Sequence, residues 1–391
     1  MKQRRQYTSH RLSRDAERLV WLAKGMADSG SRMEDAWWEG ELGLLIDKLL
    51  AKDQEEALNQ ALDRLQETNG RAYDELADLI EAGAESVTVE SPDGPRRALL
   101  LALPVQAWSR YNLPTRSLQS NVLAPLRVQL AAHILADGVH FSLADYLFSP
   151  DQLPRGYVET CRFVERLGKF ALADEDFRID ADGQPEAGQF ISDIRYVLAA
   201  VAVTPGRPVF RWNEVDGDRE SASLQWRNQA GPAFQVAMPG CAIEPSLPDA
   251  FFSAWRRADR EARGYSLAAS VAYLQSTLDA PVARLRAVVA PYYDHRLVEW
   301  RVGFAIQDND DVVHGVVWPL LGVEDEGVDV GAEIERILKG TGLAQVTLLD
   351  QRMPLEYCED CGAPLYPNAE GESVHAEMPE EQDDSPPMHL H

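Results

Sequence analysis

The stretch that decides the fold begins with Val298-Glu-Trp-Arg-Val-Gly-Phe-Ala-Ile306 and continues, after a polar turn, with Val312-Val-His-Gly-Val-Val-Trp-Pro-Leu320. An alternating run and a second apolar run on either side of a turn predict a β-hairpin. A helical period then covers Val330–Lys339 and ends near Gly342. The apolar run Leu343–Leu349 predicts another strand. The whole stretch therefore indicates a ββαβ unit.

The glycine and proline positions that mark the ends of elements in this unit recur twice upstream. Gly138, Gly240 and Gly342 each follow a predicted helix, and successive members lie 102 residues apart. Glycine suits the end of a helix because it adopts the left-handed backbone conformation without strain. Each unit is also expected to open with a hairpin and to close with an apolar residue, a proline, two further residues and an aromatic residue. These closing motifs are Leu153-Pro154-x-x-Tyr157, Leu247-Pro248-x-x-Phe251 and Met353-Pro354-x-x-Tyr357. We predict a threefold internal repeat, although α/β units share such punctuation by chance.

The expected fold class is α+β, with an N-terminal helical bundle, three repeated ββαβ-type modules with connecting helices, and a C-terminal zinc-knuckle tail. In the second module the hairpin turn is expected at Thr204-Pro-Gly-Arg-Pro208, and a pair of helices is expected at 249–262 and 266–278 before the third. The predicted divisions are 1–84 for a basic arm and the bundle, 85–173, 189–248 and 249–357 for the three modules, and 358–391 for the acidic tail.

Composition limits the function classes. The chain has 391 residues and a formal net charge of −25, which argues against a general surface for nucleic acid or an anionic membrane. The longest apolar run is far shorter than the roughly 20 residues that span a bilayer. No apolar segment of a signal peptide follows the basic N-terminus, and four cysteines are too few for a disulfide framework. We therefore expect a soluble, cytoplasmic protein.

The N-terminal bundle is predicted to contain four helices between residues 13 and 84. A capping box, Ser31-x-x-Glu34, opens the second of them. This helix carries adjacent tryptophans, Trp37 and Trp38, among leucines at helical spacing. Such a pattern is typical of core residues, so we expect both rings to be buried rather than to form a ligand platform.

A candidate metal site lies near the C-terminus. Cys358-Glu-Asp-Cys361-Gly362 is a C-x-x-C knuckle, in which two thiolates can face one ion and the glycine allows a close turn. Two sulfurs and two imidazoles from His375, His389 and His391 would complete a closed, structural zinc site that holds the tail. Three alternatives stay open: an unmetallated tail, a catalytic zinc, and a redox dithiol in which Pro354 starts a helix near Cys358.

Other candidate residues are weaker. His314 lies within a predicted strand and is expected to be a satisfied sheet residue. Asp294-His295 could form a pair of base and orienting group, but polar turns collect such residues. Cys161 and Cys241 are expected to be buried apolar residues. Nucleotide-binding, serine-hydrolase and zinc-protease signatures are absent from the sequence.

The C-terminal motifs resemble those of an uncharacterised betaproteobacterial family, domain of unknown function 2863. The resemblance rests on Cys358-Glu-Asp-Cys-Gly-Ala-Pro-Leu365, Val374-His375-Ala-Glu-Met-Pro379 and His389-x-His391, and it extends to Gly315-Val-Val-Trp-Pro319 and most of the chain. It implies no activity and no catalytic residue. It does imply that the two cysteines, His375 and the terminal histidines belong together.

The sequence favours a non-catalytic binding or scaffold protein with structural zinc and a protein partner. One alternative is an enzyme of unknown class, such as a hydrolase, with a site between modules built from Asp294, His295, His314 or the metal. Another is a ribosome- or RNA-associated factor that uses the basic arm. The sequence determines neither the partner nor the oligomeric state.

Overall fold

The structure is a computed structural model that describes residues 12–188, 190–307, 309, 311–322 and 326–379. The basic arm, His389 and His391 lie outside the described residues. Helices and sheets are both extensive, so the α+β class is confirmed. The proposed division into domains stays a prediction.

Four helices form the N-terminal bundle, as predicted. Each apolar stripe faces inward, and side chains cap the N-termini of three helices: the Ser13 hydroxyl, the Ser31 hydroxyl and the Asn69 carbonyl accept backbone N–H groups. The bundle packs on one face of the first sheet, so that one continuous apolar core joins them. The helices are α1 (Arg14–Asp28), α2 (Arg32–Ala51), α3 (Glu55–Thr68) and α4 (Gly70–Glu85).

The prediction that both adjacent tryptophans are buried is wrong. Trp37 is 52% exposed and Trp21, on α1, is 57% exposed, whereas Trp38 packs partly against the core. The ring of Trp38 meets those of Trp21 and Trp37 edge-on, with centroids 5.2 and 4.6 Å apart. Helix geometry explains the difference between Trp37 and Trp38, because side chains at adjacent positions of a helix point about 100° apart.

The first sheet is antiparallel and is built around two long strands. Strand β2 pairs with β6 from Arg97↔Val203 to Trp108↔Ser192. Short strands flank this pair: β4 pairs with β6, while β1, β7 and β8 pair with β2. The sheet strands are β1 (Ser86–Ser91), β2 (Gly94–Trp108), β4 (His140–Leu143), β6 (Ser192–Val203), β7 (Ala242–Pro245) and β8 (Asp249–Ala250); β3 (Arg116–Ser117) and β5 (Tyr146–Leu147) form a separate small ladder.

Helices cover both faces of the first sheet. The bundle, α6 (Gly156–Ala171) and the first part of α8 (Phe251–Leu278) lie on one face. Helix α5 (Ser120–Gln129), which continues as a π-helical turn over Leu130–Ile134, and α7 (Arg219–Ala237) lie on the other. Because both faces are covered, β2 and β6 read as nearly continuous apolar runs rather than alternating ones.

The three predicted modules differ in strand content. The first contains the hairpin β1–β2, α5 and β4, but in the second no described strand lies between the turn at 204–208 and α7, so the predicted hairpin there is wrong. Strand β6 instead takes β2 and β4 as its neighbours, so tertiary pairing replaces the local hairpin. The glycine prediction is confirmed in its backbone conformation: Gly138, Gly240 and Gly342 have φ values of 75°, 78° and 93°.

One helix replaces the expected helix pair at 249–278. Helix α8 continues without a break through residues 263–265 and connects the two sheets. On the first sheet, the Gln106 side-chain amide donates to the Ala258 carbonyl at 2.9 Å. On the second sheet, the Ser270 hydroxyl lies 3.0 Å from His314 Nε2. Glycine at position 264 does not stop the helix, because its flanks bury apolar residues against both sheets.

The second sheet has the order β11-β10-β9-β12, with β13 beside the end of β9. Strands β9, β10 and β11 are antiparallel, and β12 runs parallel to β9 after the crossover helix α9. Helices α8 and α9 cover one face with an apolar core. The elements are β9 (Leu285–Tyr293), β10 (Leu297–Ile306), β11 (Val312–Pro319), α9 (Val330–Gly340), β12 (Gln345–Leu348) and β13 (Met353–Pro354).

The C-terminal hairpin, formed by β14 (Tyr366–Pro367) and β15 (Ser373–Val374), covers part of the opposite face of the second sheet. Two glycines of the sheet allow this close approach. A Cβ atom at Gly303 would collide with the Pro367 carbonyl oxygen, and one at Gly315 would collide with the Tyr366 ring. The described part of the acidic tail is therefore packed against the sheet by its own side chains.

Candidate metal centre

The two knuckle cysteines are held by a tight backbone turn. The Gly362 N–H donates to the Cys358 carbonyl at 2.8 Å, and the Cys358 N–H donates to the Ala363 carbonyl at 2.7 Å. Gly362 has φ 73°, which is the conformation that the sequence predicted glycine to supply. The expected helix start at Pro354 is wrong, because Pro354 ends β13 and the knuckle is a turn. A helix N-terminus therefore does not act on Cys358.

The turn directs backbone N–H groups at the first sulfur. The N–H groups of Cys361 and Asp360 donate to the sulfur of Cys358, and they lower the pKa of that thiol from its ordinary value. Hydrogen bonds of this kind favour the thiolate, which is the form that binds metal. The neighbouring Asp360 carboxylate acts in the opposite direction, as its charge predicts, but its effect on the pKa is smaller.

His375 completes a group of three ligands. It follows β15 directly, and its Nε2 atom lies 3.2 Å from Cys361 Sγ. The ligand atoms of Cys358, Cys361 and His375 all lie within 4.8 Å of one another. The Glu377 carboxylate lies 3.5 Å from the other ring nitrogen, Nδ1. A carboxylate on Nδ1 favours the tautomer in which Nε2 is free to bind a cation.

A buried arginine of the second sheet positions the knuckle. The Arg301 side chain, on β10, is fully buried, and its Nη1 donates to the carbonyls of Glu356 and Leu365 at 2.7 Å each. These two carbonyls belong to the chain just before and just after the knuckle. The Arg301 guanidinium also pairs with Glu299 and lies over the Tyr357 ring at 5.0 Å. It therefore ties both ends of the knuckle to the sheet.

The ligand set suits zinc. Two thiolates and an imidazole are ligands that Zn²⁺ accepts in tetrahedral structural sites. Cys361 is exposed, and His375 also lines a cavity of about 520 Å³ with Asn309, Asn368 and Met378. The described residues supply three ligands, and the predicted terminal histidines lie outside them.

Comparison with known proteins gives one match. A family model described as "Protein of unknown function (DUF2863)" matches residues 4–389, nearly the whole chain. The chain belongs to the DUF2863 family. The resemblance drawn from the cysteine and histidine motifs is thereby confirmed at the level of the family. No curated protein and no solved structure matches the chain.

In this DUF2863 chain the other predicted histidines lie away from the metal centre. His314 faces α8, on the side of the second sheet opposite the knuckle, and burial lowers the pKa of its imidazole to about 4. Its bond to Ser270 makes it a satisfied sheet residue, as the sequence analysis expected. His295 is 99% exposed in the turn between β9 and β10, 3.9 Å from Asp294. The structure does not bring these residues together.

Sequence reasoning missed the residues that anchor the site. Arg301 stands two residues after Glu299, and both side chains are largely withdrawn from solvent. The first sheet repeats the arrangement with Asp193 and Arg195 on β6. The available signal was an acidic residue two positions before an arginine in an otherwise apolar strand, because charged residues are rarely buried unless they are paired. Within the described residues, no helix is both long and apolar enough to cross a membrane.

Proposed function

We propose that this chain is a non-catalytic binding protein whose C-terminal segment is fastened by structural zinc. The observation that carries the zinc proposal is the convergence of Cys358, Cys361 and His375 on one point, with all ligand atoms within 4.8 Å. The two cysteines come from a glycine-assisted turn and the histidine from the end of a hairpin. The hairpin β14–β15 returns the chain so that His375, 14 residues after Cys361, faces the knuckle.

A terminal histidine is the proposed fourth ligand. The stretch from the residue after Pro379, the last described residue, up to and including His389 is ten residues long. An extended chain of that length spans roughly 33 Å, which is ample to return to the knuckle. Either His389 or His391 would close the tetrahedron, and a closed tetrahedron is the arrangement of a structural site.

A structural role agrees with the surroundings of the site. The three ligands lie on the segment that covers the second sheet, where the apolar cluster beneath is small and comprises Ala290, Tyr292 and Met353. A metal bound only in the folded state stabilises that state by its binding free energy. Zinc would thus compensate for the limited apolar contact between segment and sheet.

Exposed aromatic side chains support a binding role. Trp21, Trp37 and the 87% exposed Met33 lie on α1 and α2. Exposed large apolar side chains that lie together are typical of protein–protein contact surfaces, in which tryptophan and methionine are enriched. We therefore propose a protein partner and a cytoplasmic setting, the latter supported by four cysteines that form no disulfide. A double variant, Trp21→Ser with Trp37→Ser, that still recovered the same proteins from its host as wild type would contradict the proposed surface.

The first two modules also support a common ancestral unit. Strand β4, from the first module, pairs with β6 of the second, and β7 of the second pairs with β2 of the first. Such reciprocal exchange is expected when two copies of one strand-helix-strand unit pack about a pseudo-twofold axis. An experimental structure in which β4 and β7 occupied unrelated positions about the β2–β6 pair would contradict this proposal.

Metal analysis tests the main proposal. Protein purified without added metal should contain about one zinc per chain by mass spectrometric elemental analysis, and Cys358→Ser should lose it. Cys241→Ser, which removes a buried thiol elsewhere, is the matched control and should retain zinc. His389→Ala combined with His391→Ala should weaken zinc binding if the tail closes the site. Wild-type protein with no bound zinc, even after incubation with zinc, would overturn the proposal.

A further inference from the structure

A cleft lies where the two sheets meet along α8. It has a volume of about 500 Å³, which is within the range of small-molecule sites. The ends of β2 and β6, the middle of α8 and the end of β11 all contribute to its walls. The polar lining includes Gln106, Ser192, Asp193, Asp259 and Ser266. None of these residues belongs to the metal centre.

Asp259 carries an uncompensated carboxylate in this cleft. Among the residues that the structure describes, it has no hydrogen-bond or ion-pair partner, although it is half-buried. Burial and the nearby Asp193 carboxylate raise the pKa of Asp259 to about 6. A cation bound in the cleft would therefore meet a carboxylate that no described residue pairs with.

Gln106 gives a second, independent indication. The residue is only 3% exposed, and its side-chain N–H is held by the Ala258 carbonyl at 2.9 Å. That bond fixes the amide, yet its oxygen accepts no hydrogen bond from the described residues, and Gln106 lines the cleft. The Gln106 side-chain oxygen is therefore a second acceptor in the cleft, to which an N–H or O–H group of a ligand could donate.

The positive charges beside the cleft are already engaged. Arg195 pairs with Asp193, and the Arg263 guanidinium donates to the Pro319 carbonyl and lies 4.9 Å from the centre of the Trp318 ring. Neither arginine is paired with Asp259. Among the described residues, the hydrogen-bonding groups of the cleft that have no partner therefore include the Asp259 carboxylate and the Gln106 oxygen.

We propose that this cleft binds a small organic cation, an ammonium or guanidinium compound with an apolar portion. The cationic N–H groups would pair with the Asp259 carboxylate and donate to the Gln106 amide oxygen. The apolar portion would contact Phe190, Val317 and Pro319, which form the apolar lining. A cationic ligand with several donors matches a cleft that offers acceptors and a carboxylate without an ion-pair partner among the described residues.

Calorimetric titration with agmatine, which carries an ammonium and a guanidinium on a butyl chain, tests the proposal. Agmatine should bind saturably at millimolar concentration or below, and glutarate, an anion of similar length, should not. Asp259→Asn should weaken agmatine binding roughly tenfold or more, because one charge-assisted hydrogen bond is lost. Gln106→Met should weaken it by a smaller factor.

Two controls keep the outcomes separate. Asp63→Asn removes a carboxylate from the exposed face of α3 and should leave agmatine binding unchanged. Asp259→Asn is close to isosteric and removes a buried charge, so it should fold with unaltered zinc content, which separates this test from that of the metal centre. Absence of saturable agmatine binding to wild type, or equal binding by wild type and Asp259→Asn, would overturn the proposal.

Discussion

Each sheet contains a buried ion pair of the same kind, an arginine with an acidic residue two positions before it, but the two arginines hold different segments. On β6 of the first sheet, Arg195 pairs with Asp193 and donates to the carbonyls of Leu113 and Pro114 at 3.1 and 3.0 Å. On β10 of the second, Arg301 pairs with Glu299 and holds two carbonyls at 2.7 Å. Both arginine side chains are fully buried. In each case a rigid strand fixes a segment that has no regular structure of its own.

The difference lies in what each arginine holds. Arg195 binds a loop that follows β2, within a sheet that helices cover on both faces. Arg301 binds the segment that carries the cysteines, on a face that the C-terminal hairpin and its flanks cover in part. The first sheet therefore depends mainly on apolar packing, whereas the second requires polar anchors for the same result. The proposed zinc site lies on this face of the second sheet, where the buried apolar cluster is small.

The largest expected effect separates the two arginines. Arg195→Met and Arg301→Met should each lower the free energy of unfolding by about 3–5 kcal/mol, because each leaves a buried carboxylate without its partner. Only Arg301→Met should also weaken zinc binding, since only Arg301 holds the knuckle. Chemical denaturation and metal analysis of both variants measure the two effects. Equal loss of zinc in both would show that the arginine acts through global stability alone.

A smaller effect is expected where the hairpin meets the second sheet. Gly303→Ala places a methyl group against the Pro367 carbonyl, so that the hairpin must move away from β10. Overpacking of this kind costs about 1–3 kcal/mol. Gly43→Ala on α2, where an added Cβ meets open space, should be neutral or slightly stabilising. In Gly303→Ala, the hydrogen-exchange rate should increase over residues 358–379 and stay unchanged in the first sheet. An equal increase in both sheets would contradict a local role of Gly303 in holding the hairpin.

Opposite pH dependences are expected from the two sheets. Burial raises the pKa of Glu85, which accepts the Phe252 N–H beside the first sheet, to about 7 from 4.5. The Glu85 carboxyl therefore stays protonated to a higher pH in the folded state than in the unfolded chain, so the free energy of unfolding falls as pH rises from 4.5 to 7. Burial lowers the pKa of His314, on the second sheet, to about 4 from 6.5, so stability is lost as pH falls through that interval. The free energy of unfolding should be measured between pH 4 and 7. Glu85→Gln should no longer lose stability as pH rises, and His314→Gln should no longer lose stability as pH falls. A variant that kept the pH dependence assigned to its residue would refute the assignment.

Local features were predictable from the sequence. The four N-terminal helices, the hairpins β1–β2 and β10–β11, and the α9–β12 crossover follow from periodicity and turn residues. The capping box of α2 is present, with the Ser31 hydroxyl accepting the Glu34 N–H at 3.2 Å. The knuckle spacing and His375 also indicated a common site. In each of these cases neighbouring residues carry the deciding information.

Only the tertiary structure decided which strands pair and what the buried charges hold. Strands β4 and β7 each join the long strand of the other module, α8 runs unbroken between the sheets, and Trp37 faces solvent. The carbonyls bound by Arg301 lie 55 and 64 residues away in the chain. Periodicity reports which face of an element is apolar, because it reflects the local geometry of one helix or strand. It contains no information on the distant element that meets that face, since that choice depends on the packing of the whole chain.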